Sequence, residues 1–154
     1  SDKDDWFFKN VLTDTMKFYT EEFRDPLYDF PTKKNLKYVL EDMWVNFQKQ
    51  TEFNPIHTHT GVFSFVIWMK IPTIFEEQKK LHIASEVNSN SISNFEISYL
   101  DILGKQISHT YDMNPNREGT MLLFPSALGH SVYPFYNCNE DRVSISGNVM
   151  VELV

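Results

Sequence analysis

Residues 54–68 read NPIHTHTGVFSFVIW. Two histidines, His57 and His59, stand one residue apart ahead of Gly61, and the run that follows is apolar and aromatic with Ser64 as its one interruption. The run Val62–Met69 is far shorter than the roughly 20 residues of a membrane helix. Its β-branched and aromatic residues suit a strand. Extended backbone sends side chains two apart to the same face, so His57 and His59 point at one spot if their segment is extended. That pair is either half of a metal site or a polar strand edge. Imidazole suits iron, zinc, copper and nickel, but two nitrogens hold a metal poorly, so a third ligand from elsewhere has to decide.

The same grammar of short β-branched and aromatic runs continues on both sides. After residue 35, strands are expected at Tyr38–Leu40, Met43–Gln48, Val62–Ile71, Phe95–Asp101, Gln106–Tyr111, Met121–Phe124, Ser131–Phe135 and Arg142–Val151. SEVNSNSISN, residues 85–94, is the most loop-like stretch, and ILGKQ and NPNREG read as hairpin turns. Ahead of them Phe8, Leu12, Met16, Tyr19 and Phe23 recur at helical spacing, which predicts one amphipathic helix within residues 1–25, stopped by Pro26. DPLYDFPTKKN is then a connecting loop. One helix followed by strands, without intervening helices to make parallel crossovers, implies a mainly β, antiparallel fold. The expectation is a double-stranded β-helix, or jelly roll, over 36–154 with the N-terminal α-helix packed outside, all in a single domain spanning 1–154.

Composition narrows the function classes. The chain carries 14 basic and 21 acidic residues, a net charge of −7, which opposes binding to a phosphate backbone. Nucleic acid is therefore not an expected partner. Cys138 is the single cysteine, so no intramolecular disulfide and no thiolate zinc cluster can form, as expected of a reducing cytoplasm. The opening SDKDDWFF has no basic n-region, so neither a leader nor a membrane partner is expected. Nothing in the composition sets an oligomeric state.

The third ligand has a good candidate in His130. It follows an apolar strand and a Pro-containing turn in GTMLLFPSALGHSVYPF and opens the next strand, a position suited to a barrel mouth. His82, in EEQKKLHIAS, and His109, in QISHTY, read as ordinary surface or core residues. Twelve residues beyond His130 comes RVSISGN, in which Arg142, Ser144, Ser146 and Asn148 alternate with Val143, Ile145, Gly147 and Val149. A guanidinium and hydroxyls on one inward face would make a carboxylate site, because the arginine fork matches two oxygens. In MWVNFQKQ, Trp44, Asn46 and Gln48 share a face, and the Asn46 amide either contacts a small-molecule ligand or faces solvent. Trp68 and Tyr133 suit the core or a pocket wall.

Taken in chain order, MWVN, NPIHTHTG, SFVIWMKIP, PNREGTMLLFPS, HSVYPF and RVSISGN resemble the iron(II)- and 2-oxoglutarate-dependent oxygenases, in the bacterial and phage branch near prolyl-hydroxylase-like proteins. The resemblance spans about Trp44 to Asn148. It implies a jelly roll whose mouth holds Fe(II), with 2-oxoglutarate as co-substrate, O2 as oxidant, and a peptide or small metabolite as substrate. The implied outcome is hydroxylation of an unactivated C–H bond with release of succinate and CO2. By position, His57 matches the first metal ligand and His130 the distal one. Arg142 and Ser144 match the Arg-x-Ser that binds the co-substrate, and Asn46 could meet its keto acid end.

The sequence departs from the family pattern at His59, where an aspartate or glutamate is usual. Residues 53–75 contain no acid, so Asp112, Glu118 or Asp141 would have to reach in from other loops. Three arrangements stay open: a three-histidine site of His57, His59 and His130; a site of His59 and His130 alone with Gly61 at the carboxylate place, as in radical halogenases; or one imidazole that orients a ligand or water without touching metal. The first is favoured. Two other functions compete, a cupin-like three-histidine dioxygenase that does not use 2-oxoglutarate, and a metal-free jelly-roll binding module.

Overall fold

The structure, a computed structural model, describes residues 2–154. Its strands are β1 (Leu36–Gln48), β2 (Asn54–His57), β3 (Phe63–Lys70), β4 (Phe95–Leu100), β5 (Gln106–Tyr111), β6 (Met121–Pro125), β7 (Gly129–Val132) and β8 (Arg142–Leu153). They form two four-stranded antiparallel sheets ordered β1-β8-β3-β6 and β2-β7-β4-β5. Strands that are neighbours in sequence repeatedly change sheet, which is the winding of a double-stranded β-helix. The expected fold class is correct. No helix among the described residues is long and apolar enough to cross a membrane.

Several boundaries differ from expectation for local reasons. The two pieces Tyr38–Leu40 and Met43–Gln48 are one strand of 13 residues, kinked where its register against β8 shifts between Leu40 and Asp42. The strand expected at Ser131–Phe135 ends at Val132 and begins earlier, at Gly129, because Pro134 has no N–H to give a ladder. NPNREG does not close a hairpin. It holds a 3-10 turn, Pro115–Arg117, and carries the chain from β5 in one sheet to β6 in the other. ILGKQ does join β4 to β5, with Gly104 at φ 78° and the Asp101 carboxylate accepting from the backbone N–H of Leu103 and Lys105. A four-residue helix at Phe75–Gln78, too short to show periodicity, lies in the connection from β3 to β4.

The N-terminal segment forms a π-helical turn, Phe8–Leu12, that continues into helix α1, Thr13–Glu22. Its apolar side packs on the outer face of the first sheet: Leu12 and Met16 bury against Phe63, Phe65 and Val149, and Tyr19 meets Phe63 edge-on with ring centroids 5.0 Å apart. The loop expected after it contains a 3-10 turn, Pro26–Asp29, whose Asp25 cap also accepts from the Tyr38 hydroxyl at 2.6 Å. The inner face of the same sheet contributes Val66, Trp68 and Phe124 to a second cluster that joins Phe95 and Ile97 of the opposite sheet.

Strand β8 is packed closely enough that one position must be glycine. A Cβ on Gly147 would collide with the Asp42 carbonyl oxygen and lie 2.7 Å from the Phe65 ring. We expect Gly147→Ala to destabilise the protein by about 1–3 kcal/mol, the ordinary cost of overpacking a filled interior, measured as a lower urea midpoint. An unchanged midpoint would show that β1 and β8 lie farther apart than described.

Candidate metal centre and anion pocket

Between the two sheets lies a cavity of about 650 Å³. Alternation along the strands fills it from three sides: Trp44, Asn46 and Gln48 from β1, Arg142, Ser144 and Ser146 from β8, and His57 and His130 from β2 and β7. His57 ends β2 and His59 lies just beyond it, so only the first histidine belongs to a strand. The backbone N–H of His59 donates to the Ser126 carbonyl at 2.9 Å, which returns the second imidazole to the same place. Gly61 makes the turn possible, with φ 103° and a would-be Cβ only 2.7 Å from the Val149 carbonyl oxygen.

The three imidazoles converge. His57 and His130 face each other directly in the register of β2 and β7, and their ring centroids are 4.2 Å apart. His59 lies 5.0 Å from His57 and 5.1 Å from His130 by the same measure. One nitrogen from each ring falls within 4.8 Å of the others, a grouping that could hold one metal ion. Backbone carbonyls set the orientation of two rings. His57 Nδ1 lies 2.7 Å from the Pro55 oxygen and His130 Nδ1 3.0 Å from the Leu128 oxygen. With Nδ1–H donating in each case, Nε2 carries the lone pair that can face a metal, the usual way a protein prepares a histidine ligand; in His57 that nitrogen accepts from the Asn54 side-chain amide at 3.3 Å, a bond that a metal would replace.

The donor set is neutral. Asp112 accepts from the Asn94 amide and Glu118 from the Ile71 N–H, so both are engaged elsewhere, and neither they nor Asp141 joins the three histidines. A signal absent from the sequence reading is Asp42, whose charge raises the proton affinity of His59 against the larger lowering effects of burial and of His57. Burial holds His130 down at about 4, opposed by its bond to Leu128 and reinforced by His57 and His59. His82 and His109 are exposed and remote from the group, as their settings imply.

Arg142 is the other exceptional residue. It is 3% exposed, no acidic side chain pairs with it among the described residues, and its Nε is buried without any partner. Nη2 donates to the Ser93 carbonyl at 2.7 Å and hydroxyl at 2.9 Å, and Nη1 to the Gln48 side-chain oxygen at 3.3 Å. The guanidinium also lies over the Phe135 ring, 5.0 Å from its centroid. Burial without a compensating charge pushes its pKa down to about 10. Beside it, the Asn46 amide donates to Ser146 at 3.1 Å and more weakly to Ser144 at 3.4 Å. The serine-lined face that alternation predicted is thus the cavity floor, and Trp68 is both core and cavity wall. Sequence reading passed over Ser93, which sits in the loop-like stretch with no neighbour in sequence to mark it.

Because folded His130 resists protonation, stability should fall with acidification. Metal-free protein should lose thermal stability as the pH drops from about 6.5, where histidine in an unfolded chain takes up a proton, toward about 4, the folded value of His130. Melting temperatures in chelator should show a steeper decline across that window for the native chain than for His130→Gln; equal slopes would remove His130 as the cause.

Comparisons with known proteins bear on the fold and the family. None of the curated proteins matches the sequence. Among solved structures, an oxidoreductase of the 2OG-Fe(II) oxygenase family from Burkholderia pseudomallei is similar in fold, with a TM-score of 0.51 and 15% identity over 89% of this chain. The chain spans 57% of that protein's length. The family described as "Putative 2OG-Fe(II) oxygenase" matches residues 42–148, from the bulge of β1 through the floor of the cavity, and the chain belongs to that family.

Proposed function

We propose that the protein is an Fe(II)- and 2-oxoglutarate-dependent dioxygenase that hydroxylates an unactivated C–H bond of a peptide, prolyl-like in class, or of a small metabolite. The observation that carries this reading is a buried arginine with no counter-charge in the same cavity as three converging imidazoles. A buried cation without a partner is costly, and a bound carboxylate removes that cost. Iron(II) with 2-oxoglutarate and O2 supplies the chemistry: the co-substrate loses CO2 and becomes succinate with one oxygen atom, and the other oxygen enters the C–H bond.

The chain's own residues bind and orient. His57, His59 and His130 would hold the metal through one nitrogen each, and Pro55 and Leu128 fix the rings of His57 and His130. Arg142 would take the distal carboxylate of 2-oxoglutarate through its unpartnered Nε–H, with the Ser144 hydroxyl beside it. Asn46 would donate to the keto acid end, exchanging its bonds to the two serines for bonds to the co-substrate. Trp44, Trp68, Phe95 and Phe124 supply an apolar wall that limits water at the reacting centre. Three neutral ligands leave the metal more positive than a carboxylate-containing set does, which favours a dianionic co-substrate.

The all-histidine donor set also favours a second reading, a three-histidine dioxygenase in which the substrate binds metal directly and 2-oxoglutarate plays no part. Anaerobic titration separates the two. Adding 2-oxoglutarate to the Fe(II) protein should produce the weak visible charge-transfer absorption of a chelate, and aerobic turnover over peptides and small metabolites should release succinate. Arg142→Ala should weaken 2-oxoglutarate binding by about 100-fold, the scale for losing a charge-assisted fork, and His130→Ala should abolish stoichiometric metal binding. Oxygen uptake indifferent to 2-oxoglutarate would replace the first reading by the second.

A further inference from the structure

We propose that Gln48 and Ser93 are positioning residues for the co-substrate anchor: they form an uncharged cradle that fixes the Arg142 guanidinium while leaving its positive charge to be matched by 2-oxoglutarate. The proposal rests on the oxygenase reading and deepens it by saying what sets selectivity for a dicarboxylate.

The cradle is built from two sides of the guanidinium. Ser93 is fully buried and adopts φ 64°, a left-handed conformation that costs a residue with a Cβ about 1 kcal/mol. That conformation accompanies an arrangement in which the carbonyl and hydroxyl of one residue both accept from Nη2. The surrounding loop is tied down to hold it. The Ser93 N–H donates to the Pro134 carbonyl at 3.0 Å, and its hydroxyl lies 3.3 Å from that of Thr73. Next to it the Asn94 amide donates to the Asn90 carbonyl and the Asp112 carboxylate, and its oxygen accepts from the Met113 N–H at 2.9 Å.

Gln48 closes the other side. Its Nε2 donates to the Glu52 carbonyl at 2.6 Å, which turns the amide oxygen toward Arg142 Nη1. The one nearby carboxylate on the cavity lining, Glu52, is turned away and accepts from the Lys49 N–H at 2.8 Å. Among the described residues every hydrogen-bond partner of the guanidinium is neutral, a carbonyl, a hydroxyl and an amide, and the group it stacks on is the Phe135 ring. A glutamate has the same shape as Gln48 and would be the common partner for a buried arginine, but it would neutralise the anchor before any ligand arrived. Three of the five N–H groups of a guanidinium serve the cradle, and Nε–H stays unpaired. Orientation and charge are thus supplied by different atoms.

The test compares two keto acids on the Fe(II) protein under anaerobic conditions: 2-oxoglutarate, and 2-oxobutyrate, which lacks the distal carboxylate. Gln48→Glu should bind 2-oxoglutarate at least about tenfold more weakly while 2-oxobutyrate affinity stays within about twofold of the native value, so the selectivity ratio collapses. Ser93→Gly, which permits the same backbone conformation and keeps the carbonyl but removes the hydroxyl, should lose several-fold in the same ratio, carried by KM in succinate release. Gln48→Glu with native 2-oxoglutarate affinity, or an equal loss for both keto acids, would overturn the cradle. Failure of the native protein to bind 2-oxoglutarate at all would instead overturn the co-substrate reading on which it stands.

Discussion

Strand β8 has to satisfy two interiors at once, and the rest of the molecule is arranged around that demand. A strand turns successive side chains to opposite sides, so Val143, Ile145 and Val149 face the outer layer while Arg142, Ser144, Ser146 and Asn148 face the cavity. Neither set can be solvated as in an exposed strand. Helix α1 covers part of the outer set, and β1 and β3 flank β8 on both edges through long antiparallel ladders. On the inner side polar groups are satisfied mostly by one another: Ser64 donates to Asn148 at 2.8 Å and to Ser126 at 3.0 Å, and Asn46 to the two serines. Among the described residues, Arg142 alone retains a buried side-chain polar atom without a partner.

That exception organises the electrostatics. Three neutral imidazoles and one uncompensated guanidinium give the cavity an excess of positive charge once a divalent metal is held there, inside a chain whose net charge is −7. The acids of the surface do not reach in, because Asp112, Glu118 and Glu52 each cap a nearby amide or backbone N–H instead. A dianion with a keto acid at one end and a carboxylate at the other fits this distribution. The reach of Arg142 is fixed by the Ser93 loop rather than by the strand that carries it.

Much of the architecture was legible because its signals are local. The period of two in RVSISGN, the apolar run after Gly61 and the helical spacing from Phe8 to Phe23 each depend on backbone geometry alone. The histidine group was legible as a pattern of spacing, and the structure brings all three rings together. Three things escaped. The fusion of two strands into β1 depends on a bulge that pairing creates, and the crossing of NPNREG between sheets depends on which strand β6 finds. Ser93 and Asp42 act across long sequence distances, on Arg142 and His59, and a single sequence carries no mark of such contacts.

The register of β1 on β8, which pairs Leu36 with Leu153, also makes closure of the first sheet a long-range event. The first strand of the sheet waits for the last, so much of the chain must be synthesised and held in proximity before the ladder can close. Contacts of such sequence separation form late and slowly, because the loop between them is costly to order. The histidines fall inside that loop and can meet through β2 and β7 alone, whereas Arg142 and Gln48 meet only when β8 docks on β1. The imidazole cluster and the anion anchor therefore depend on different strand pairings, β2 with β7 and β1 with β8. Val149 of β8 packs on Phe63 and Phe65, so the last strand completes the cover that Leu12 and Met16 begin from the other end of the chain.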